Sequence, residues 1–249
     1  MNNLEIQSYG VTKTSTNPAL KEVLLRKGFI VKPFTDKKIW DDAKEELTIL
    51  CKERIVNGES PNFREPLLKS LNTLKLVLSD QIQEISTQVS PYFDLNQQNA
   101  IVASQSHGQD RWHRDIPYQD WVPQGLAAIN LLFLFSDIND TSPVLDIIEG
   151  SHCETPFPCG ESIENLTTTI YLRPYDFLIM NSFLFHRASK LLPQGSIIVN
   201  NVLAPKIFSQ QVDFSEQTNK QNLVEKINKL GLKDDKTIYF FLGLDRKKY

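Results

Sequence analysis

Two histidines and one aspartate are the residues of this chain whose types and spacing best suit chemistry at a metal. His113 and Asp115 are separated by one residue, and His186 follows much further along the chain. Two imidazoles and one carboxylate are the ligand set of mononuclear non-haem iron sites that keep open coordination positions. A His-X-Asp spacing is common by chance, so the prediction depends on the sequence around it.

The residues around His113 predict a short extended segment at 111–117. In a strand alternate side chains share a face, so we expect His113 and Asp115 to point the same way and Arg114 to point away. Because two ligands then lie on one strand, the third has to come from another element.

Helices are predicted for the first part of the chain. A short strand at 28–31, ending at Pro33, precedes a helix for which Asp36 is the predicted N-cap. An apolar stripe at helical spacing predicts a second, continuous helix from about residue 66 to 91, where a proline ends it. Such periodic apolar faces are typical of helices that pack on a core.

Strands are predicted for the rest of the chain, and their loops are rich in Gly, Pro, Asp and Asn. This pattern is typical of a β-sandwich or jelly roll. We expect strands at 101–103, 127–135, 144–148, 167–172, 177–181 and 197–202, an amphipathic helix at 216–230 and a last strand at 238–241. No repeat or low-complexity linker interrupts the pattern. The sequence therefore predicts one domain over 1–249, with a helical part at about 1–95 and a jelly-roll core at about 96–249.

Composition excludes several classes of protein. The chain has 249 residues, 41% of them hydrophobic and 23% charged, and a net charge of −3, which gives no reason to expect binding to nucleic acid or an anionic membrane. Its three cysteines lack a Cys-x-x-Cys spacing, which argues against a disulfide framework or a structural zinc site. With no basic region leading into an apolar run at its start, a cytoplasmic protein is predicted.

Four sequence landmarks follow one another in a characteristic order. A Gly-Phe strand at 25–31 precedes a helix, and Trp112-His113-Arg114-Asp115 has the form Trp-His-x-Asp. Residues 148–152 are similar to a Pro-Gly-Ser-His turn in which Glu149 replaces the proline, and 175–179 resemble a Gly-Asp strand ahead of the distal ligand, His186. Over nearly its whole length, the chain resembles the phytanoyl-CoA dioxygenase family of Fe(II)/2-oxoglutarate-dependent oxygenases.

The resemblance implies a mainly β fold with flanking helices, the double-stranded β-helix or cupin-like jelly roll. It implies Fe(II) held by His113, Asp115 and His186, with 2-oxoglutarate and dioxygen at the open positions. Oxidative decarboxylation of 2-oxoglutarate to succinate would accompany removal of a hydrogen from a small-molecule substrate. Related halogenases carry a small residue in place of the aspartate, so Asp115 favours hydroxylation over halogenation.

The family's arginine for the far carboxylate of 2-oxoglutarate is absent from its usual strand, which corresponds to 193–200 here. A bidentate guanidinium is the natural partner of a buried carboxylate. Three alternatives follow. Another cation takes its place, or Ser196 and Asn200 bind a differently placed cosubstrate, or the protein does not use 2-oxoglutarate. The candidate cations are Arg111, which shares the face of His113, and then Arg173, Arg187 and Lys190.

Other polar residues are assigned roles by their positions. Tyr118 and Trp121 are expected to line the substrate pocket and Gln119 to contact cosubstrate, because they follow the metal motif. Gln105 and Asn130 lie on strands expected to be buried, where an amide needs a partner, and that partner is either a neighbouring backbone group or the cosubstrate. His152 is expected to stabilise its turn.

The favoured function is an iron-dependent oxygenase that hydroxylates a small molecule with 2-oxoglutarate. One alternative is an iron enzyme independent of 2-oxoglutarate, which the missing arginine motivates. The other is a non-catalytic barrel that binds a ligand and keeps the motif as a relic. The complete ligand set argues against the relic, since a relic is expected to lose a ligand.

Overall fold

Two antiparallel sheets and a group of helices make up the computed structural model. It describes residues 18–64, 66–89, 93–102, 111–115, 128–137, 140–153, 162–205 and 217–232. The helices are α1 (Pro18–Arg26), α2 (Lys37–Val56), α3 (Pro66–Lys69), α4 (Leu71–Val77), α5 (Asp80–Val89), α6 (Ser162–Asn165) and α7 (Gln217–Lys229). The strands are β1 (Phe29–Pro33), β2 (Phe63–Arg64), β3 (Phe93–Val102), β4 (Ile129–Phe135), β5 (Ser142–Ile148), β6 (Thr167–Leu172), β7 (Asp176–Asn181), β8 (His186–Ala188) and β9 (Ile197–Pro205).

The larger sheet has six strands in the order β1-β7-β4-β9-β3-β2, and the smaller has three in the order β6-β5-β8. All their strand pairs are antiparallel. Apolar side chains from both sheets form one buried cluster between them, with Leu132, Leu178 and Ile198 from the larger sheet and Val144 and Ile147 from the smaller. The fold is the predicted double-stranded β-helix, or jelly roll.

Helices cover the other face of the larger sheet. The Trp40 ring of α2 lies 5.7 Å from the Phe133 ring and 5.0 Å from the Phe135 ring, both on β4, and all three side chains belong to the helix-side core. Strand β4 is buried along its whole length because it has this core on one face and the inter-sheet cluster on the other. Burial on both faces explains its nearly continuous apolar sequence.

The single helix predicted from 66 to 91 is wrong, because the chain forms α3, α4 and α5 in that region. Ser70 begins α4, where its Oγ accepts from the N–H of Thr73 at 2.9 Å. The carboxylate of Glu46 accepts from the N–H groups of Leu71 and Asn72 at 3.1 and 2.9 Å. These acceptors satisfy N–H donors that a helix start leaves unpaired.

Most of the other predicted elements are confirmed, with changed boundaries. Asp36 caps α2 through a 3.0 Å bond from the N–H of Ile39, and β6 has its predicted bounds. Strand β3 is much longer than the strand predicted at 101–103. Its first part could not be predicted, because it is polar and lacks an alternation of apolar residues. Strand β1, from the N-terminal part of the chain, is an edge strand of the larger sheet. The strand predicted at 238–241 lies outside the described residues. Within the described part of the chain, none of the helices combines the length and the hydrophobicity that a membrane span requires.

Candidate metal centre

His113, Asp115 and His186 come together at one edge of the smaller sheet. One ligand atom from each side chain lies within 4.8 Å of the other two. The Nε2 of His113 is 3.6 Å from Oδ1 of Asp115, and the Nε2 of His186 is 3.8 Å from Oδ2. Among the described parts of the chain, this is the one group of three such side chains with the spacing of a metal site.

Backbone pairing places the two histidines side by side. The N–H of His113 donates to the carbonyl of His186 at 2.9 Å, and the N–H of His186 donates to the carbonyl of His113 at 3.0 Å. This isolated antiparallel bridge adds the 111–115 segment to β8, the edge strand of the smaller sheet. The imidazole ring centroids are consequently 4.4 Å apart.

Both imidazoles are oriented by backbone carbonyls. The Nδ1 of His113 lies 2.8 Å from the carbonyl oxygen of Arg111, and the Nδ1 of His186 lies 2.8 Å from that of Leu184. A carbonyl can only accept, so each neutral ring carries its proton on Nδ1 and keeps a lone pair on Nε2. Fixing the tautomer in this way is what the outer contacts of metal-binding histidines usually do.

Two asparagines from the larger sheet hold the Asp115 carboxylate. The Nδ2 of Asn130, on β4, donates to Oδ2 of Asp115, and the Oδ1 of Asn130 accepts from the Oγ of Ser182. The Nδ2 of Asn200, on β9, lies 3.4 Å from the same carboxylate oxygen. Asn130 is fully buried, so its amide is fixed by these two partners.

The electrostatics of the site suit a cation. Burial alone would raise the pKa of Asp115, but the imidazoles of His186 and His113 and the hydrogen bond from Asn130 hold this pKa below its ordinary value. Burial lowers the pKa of His186, whereas the hydrogen bond to Asp115 raises the pKa of His113. These surroundings favour the anionic form of the carboxylate, which is the form that binds a metal ion.

A stacked layer supports the bridge on the far side of the ligands. The guanidinium of Arg187 lies 4.6 Å from the centre of the Trp112 ring, which in turn stacks on Phe185 at 5.1 Å. Arg187 is buried and donates to Asp146 through Nε and to both oxygens of Glu164 through its two Nη atoms, each bond being 3.0 Å long. These contacts join β8 to β5 and α6 beside the metal ligands.

The predicted cosubstrate and substrate residues differ in their positions and contacts. Asn130 and Asn200 contact Asp115, while Ser196 is buried just ahead of β9. The Arg111 side chain is exposed, and the residue contacts His113 through its carbonyl. Gln105, Tyr118, Gln119 and Trp121 lie outside the described residues.

The further cations that the sequence offered are placed elsewhere. Arg187 is engaged with Asp146 and Glu164, and Arg173 is an exposed residue paired with Asp176. Lys190 is also exposed.

Two features were not predicted from the sequence. One is Ser182, whose hydroxyl donates to Asn130, and the other is the stack of Trp112 with Arg187. Ser182 offered a signal, since it is a polar residue between the apolar strand β7 and the distal histidine. The stack offered none, because Trp112 is distant in sequence from Phe185 and Arg187. The Asp146 and Glu164 carboxylates that bind Arg187 come from two further elements.

No family model matches the chain, and no curated protein matches it. Solved structures do share its fold. AviO1 from Streptomyces viridochromogenes is 14% identical with a TM-score of 0.60, covering 78% of this chain and 97% of its own. EctD from S. alaskensis, solved with 2-oxoglutarate and 5-hydroxyectoine, is 15% identical with a TM-score of 0.59 and 78% coverage of both chains. HygX from Streptomyces hygroscopicus, solved with nickel and 2-oxoglutarate, is 15% identical with a TM-score of 0.56, covering 79% of this chain and 90% of its own. At these identities the likeness establishes the jelly-roll fold.

Proposed function

We propose that this protein is a non-haem iron oxygenase that oxidises a small molecule with dioxygen and a 2-oxo acid cosubstrate. One observation carries the proposal. A buried carboxylate and two imidazoles with free Nε2 atoms converge at the edge of a jelly-roll sheet. The order of the sequence landmarks supports it, and membership of the phytanoyl-CoA dioxygenase family is part of the same proposal.

The donor set fits Fe(II). Two imidazole nitrogens and one carboxylate oxygen are the facial ligands of non-haem iron oxygenases, and they leave positions for other ligands. Iron held there would supply the activation of dioxygen. Because the His186 side chain is 6% exposed and that of His113 is 42% exposed, the site is open on the side of His113. Ligands would reach the metal from this side, while Asn130 keeps the carboxylate in place.

The fit to 2-oxoglutarate differs between its two ends. The 2-oxo carboxylate end suits the open positions of a metal held by three protein ligands. HygX and EctD have been solved with 2-oxoglutarate, which makes it the first candidate for this chain. For its second carboxylate, the contacts of the described site residues include no free lysine or arginine, so the described residues do not fit this end of the molecule.

The proposed reaction is hydroxylation. Asp115 is present, and the halogenases that resemble the family have a small residue in its place. Tyr118 and Trp121 remain proposed substrate contacts, and Gln105 and Gln119 remain proposed cosubstrate contacts.

Metal uptake tests the proposal most directly. The apoprotein would be titrated anaerobically with Fe(II), and in parallel with Co(II) or Ni(II), and the binding of one equivalent is expected. Asp115→Ala and His186→Ala are expected to weaken binding by about 100-fold or more, since each removes a ligand. Asp137→Ala, which removes an exposed carboxylate, is the matched control. Equal binding by all four proteins, or no uptake of any metal, would exclude the iron site and favour a ligand-binding barrel.

A further inference from the structure

The wall of the site beyond the metal ligands is formed by alternate residues of β9. Ile198 belongs to the cluster between the sheets, whereas Ile197 and Val199 belong to the helix-side core. Asn200 shares the face of Ile198 and reaches Asp115. The same alternation puts Ser196, which lies just ahead of the strand, on this face. The row that leads away from the metal is therefore Asn200, Ile198 and then Ser196.

At Ile198, the position after Asn200 in this row, the neighbouring side chains are apolar. Asn200 pairs in register with Leu132 of β4, and Ile198 pairs with Leu134. Both leucines and Ile198 are buried members of the apolar cluster between the sheets. Residues two apart in a strand are separated by roughly 7 Å. A cosubstrate that lay along β9 would extend from the amide of Asn200, near the candidate metal site, to the apolar wall around Ile198.

No fixed positive charge that the structure describes faces this wall. Arg111 is exposed, Arg114 donates to the carbonyl of Ser151 at 2.7 Å, and Arg187 is paired with Asp146 and Glu164. The segments 103–110 and 116–127, which flank the metal motif in the sequence, contain no lysine or arginine, and His107 is their only basic residue.

Two polar atoms of the row are buried without a hydrogen-bond partner in the structure, the Oγ of Ser196 and the Oδ1 of Asn200. Both are neutral. The Asn200 oxygen can only accept a hydrogen bond, since the Nδ2 of the same amide is directed to Asp115. A carboxylate next to this oxygen would be repelled, and a carboxylate buried without a cation loses its hydration with little compensation.

We infer that the cosubstrate site prefers a 2-oxo acid with an uncharged side chain, of the class of pyruvate, 2-oxobutyrate and 4-methyl-2-oxopentanoate, over 2-oxoglutarate. The 2-oxo carboxylate would bind the metal as in the proposed function, on which this inference rests. The side chain would lie against Ile198, Leu132 and Leu134. No lysine or arginine among the described residues faces this wall, and this disfavours a second carboxylate relative to an apolar group.

Equilibrium binding to the metal-loaded wild-type protein tests this preference without turnover. Anaerobic Fe(II) protein would be titrated with 4-methyl-2-oxopentanoate, pyruvate and 2-oxoglutarate, and the metal-to-ligand charge-transfer band recorded. Calorimetry on the Ni(II) protein would repeat the series. The dissociation constant of at least one uncharged-chain acid is expected to be lower than that of 2-oxoglutarate by about 10-fold, roughly 1.4 kcal/mol. Tighter or equal binding of 2-oxoglutarate, or no band with any 2-oxo acid on a metal-loaded protein, overturns the inference and leaves the iron site standing. Failure to load metal overturns the proposed function itself and the inference with it.

A variant that adds the missing charge gives a second test. Ser196→Arg introduces a guanidinium at the end of the row, and Gln194→Arg places the same charge on the exposed turn nearby as a control. Ser196→Arg is expected to improve 2-oxoglutarate binding by about 10-fold and to leave 4-methyl-2-oxopentanoate binding within about 3-fold. An equal gain in both variants would show a general charge effect and count against the apolar wall. If Ser196→Arg does not fold, the wild-type comparison decides the question alone.

Discussion

His113 and His186 exchange two backbone hydrogen bonds, of 2.9 and 3.0 Å, and this pair of bonds brings two imidazoles from distant parts of the chain to one candidate metal site. The bridge is isolated within the described residues, with no ladder on either side of it. Neighbouring side chains therefore support its geometry, among them Trp112, whose ring contacts both Phe185 and Arg187.

Replacing Arg187 should destabilise both the fold and the metal site. Arg187→Lys keeps the charge but loses the fork that binds Asp146 and Glu164 together. A loss of about 3 kcal/mol in the free energy of unfolding is expected, as for breaking a buried ion pair, with roughly 10-fold weaker metal binding. Urea unfolding and metal titration measure the two effects.

Arg173→Lys is the matched control for that variant, because Arg173 makes a similar pair with Asp176 but its side chain is 71% exposed. Exposed pairs contribute little to stability, so Arg173→Lys should leave the free energy of unfolding almost unchanged. Equal losses in the two variants would show that Arg187 has no special structural part in the site.

Asn130 is expected to control metal affinity through Asp115. Asn130→Ala removes the hydrogen bond that fixes the carboxylate, so metal binding should weaken by about 10-fold or more. It also leaves the Ser182 hydroxyl without its acceptor, which should lower the free energy of unfolding by about 1–3 kcal/mol. Metal titration and urea unfolding of the same preparations separate the two effects.

Asn201→Ala is the control for the Asn130 variant. Asn201 is an equally buried amide, but it donates to the carbonyl of Leu131 at 3.4 Å and not to the aspartate. This variant should lose stability and keep its metal affinity. If both variants bind metal equally well, Asn130 positions nothing at the site.

The convergence of His113, Asp115 and His186 agrees with the order of the sequence landmarks, and most strands could be predicted because their apolar patterns are local. The strand at 127–135 can be recognised from its run of apolar residues, in which Asn130 is polar. The break between α3 and α4 could not be predicted, because the apolar stripe of Leu67, Leu71 and Leu74 continues across it at helical spacing. The acceptor that stabilises the new helix start is Glu46 on α2, which is remote in the sequence.

The backbone conformation of Tyr175 also depends on contacts that are remote in the sequence and could not be predicted. Tyr175 occupies the position at which the family that the chain resembles has glycine. Its φ is 67°, a value that residues with a side chain rarely adopt. Tertiary contacts keep it there. Its ring lies 6.1 Å from the Trp40 ring, its hydroxyl is 3.3 Å from Asp41, and its carbonyl accepts from the N–H of Phe34 at 2.7 Å. None of these partners is adjacent to it in the sequence.

Gly28 should tolerate no side chain. Its φ is +86°, and a Cβ there would lie 2.7 Å from both Nδ1 of His152 and Cδ1 of Leu184. Gly28→Ala is expected to lower the free energy of unfolding by about 3 kcal/mol through backbone strain and this overlap together. Gly150→Ala is the control, since its φ is +79° but nothing lies within 4 Å of its Cβ. It should cost only about 1 kcal/mol. Similar losses in urea unfolding would mean that the contact with His152 is relieved by a small shift.

His152 should make the fold less stable in mild acid. Its Nε2 lies 2.8 Å from the carbonyl of Leu25 at the end of α1, and its Nδ1 is buried without a hydrogen-bond partner in the structure. Burial lowers the pKa of His152 below its ordinary 6.5, and the charge of Arg114 acts in the same direction. In the unfolded chain the ring therefore binds a proton at a higher pH than in the folded protein. The stability that it contributes is complete above pH 6.5 and is lost as the pH falls below that value.

His152→Gln tests this effect, because its amide can still donate to the Leu25 carbonyl but does not titrate. The free energy of unfolding, measured in urea between pH 8 and pH 5, should fall more steeply for the wild-type protein than for the variant. The difference in slope for one proton is at most about 1.4 kcal/mol per pH unit. Parallel profiles would show that the folded protein accommodates the protonated ring, for which rotation of the Nδ1 side toward solvent is the simplest route.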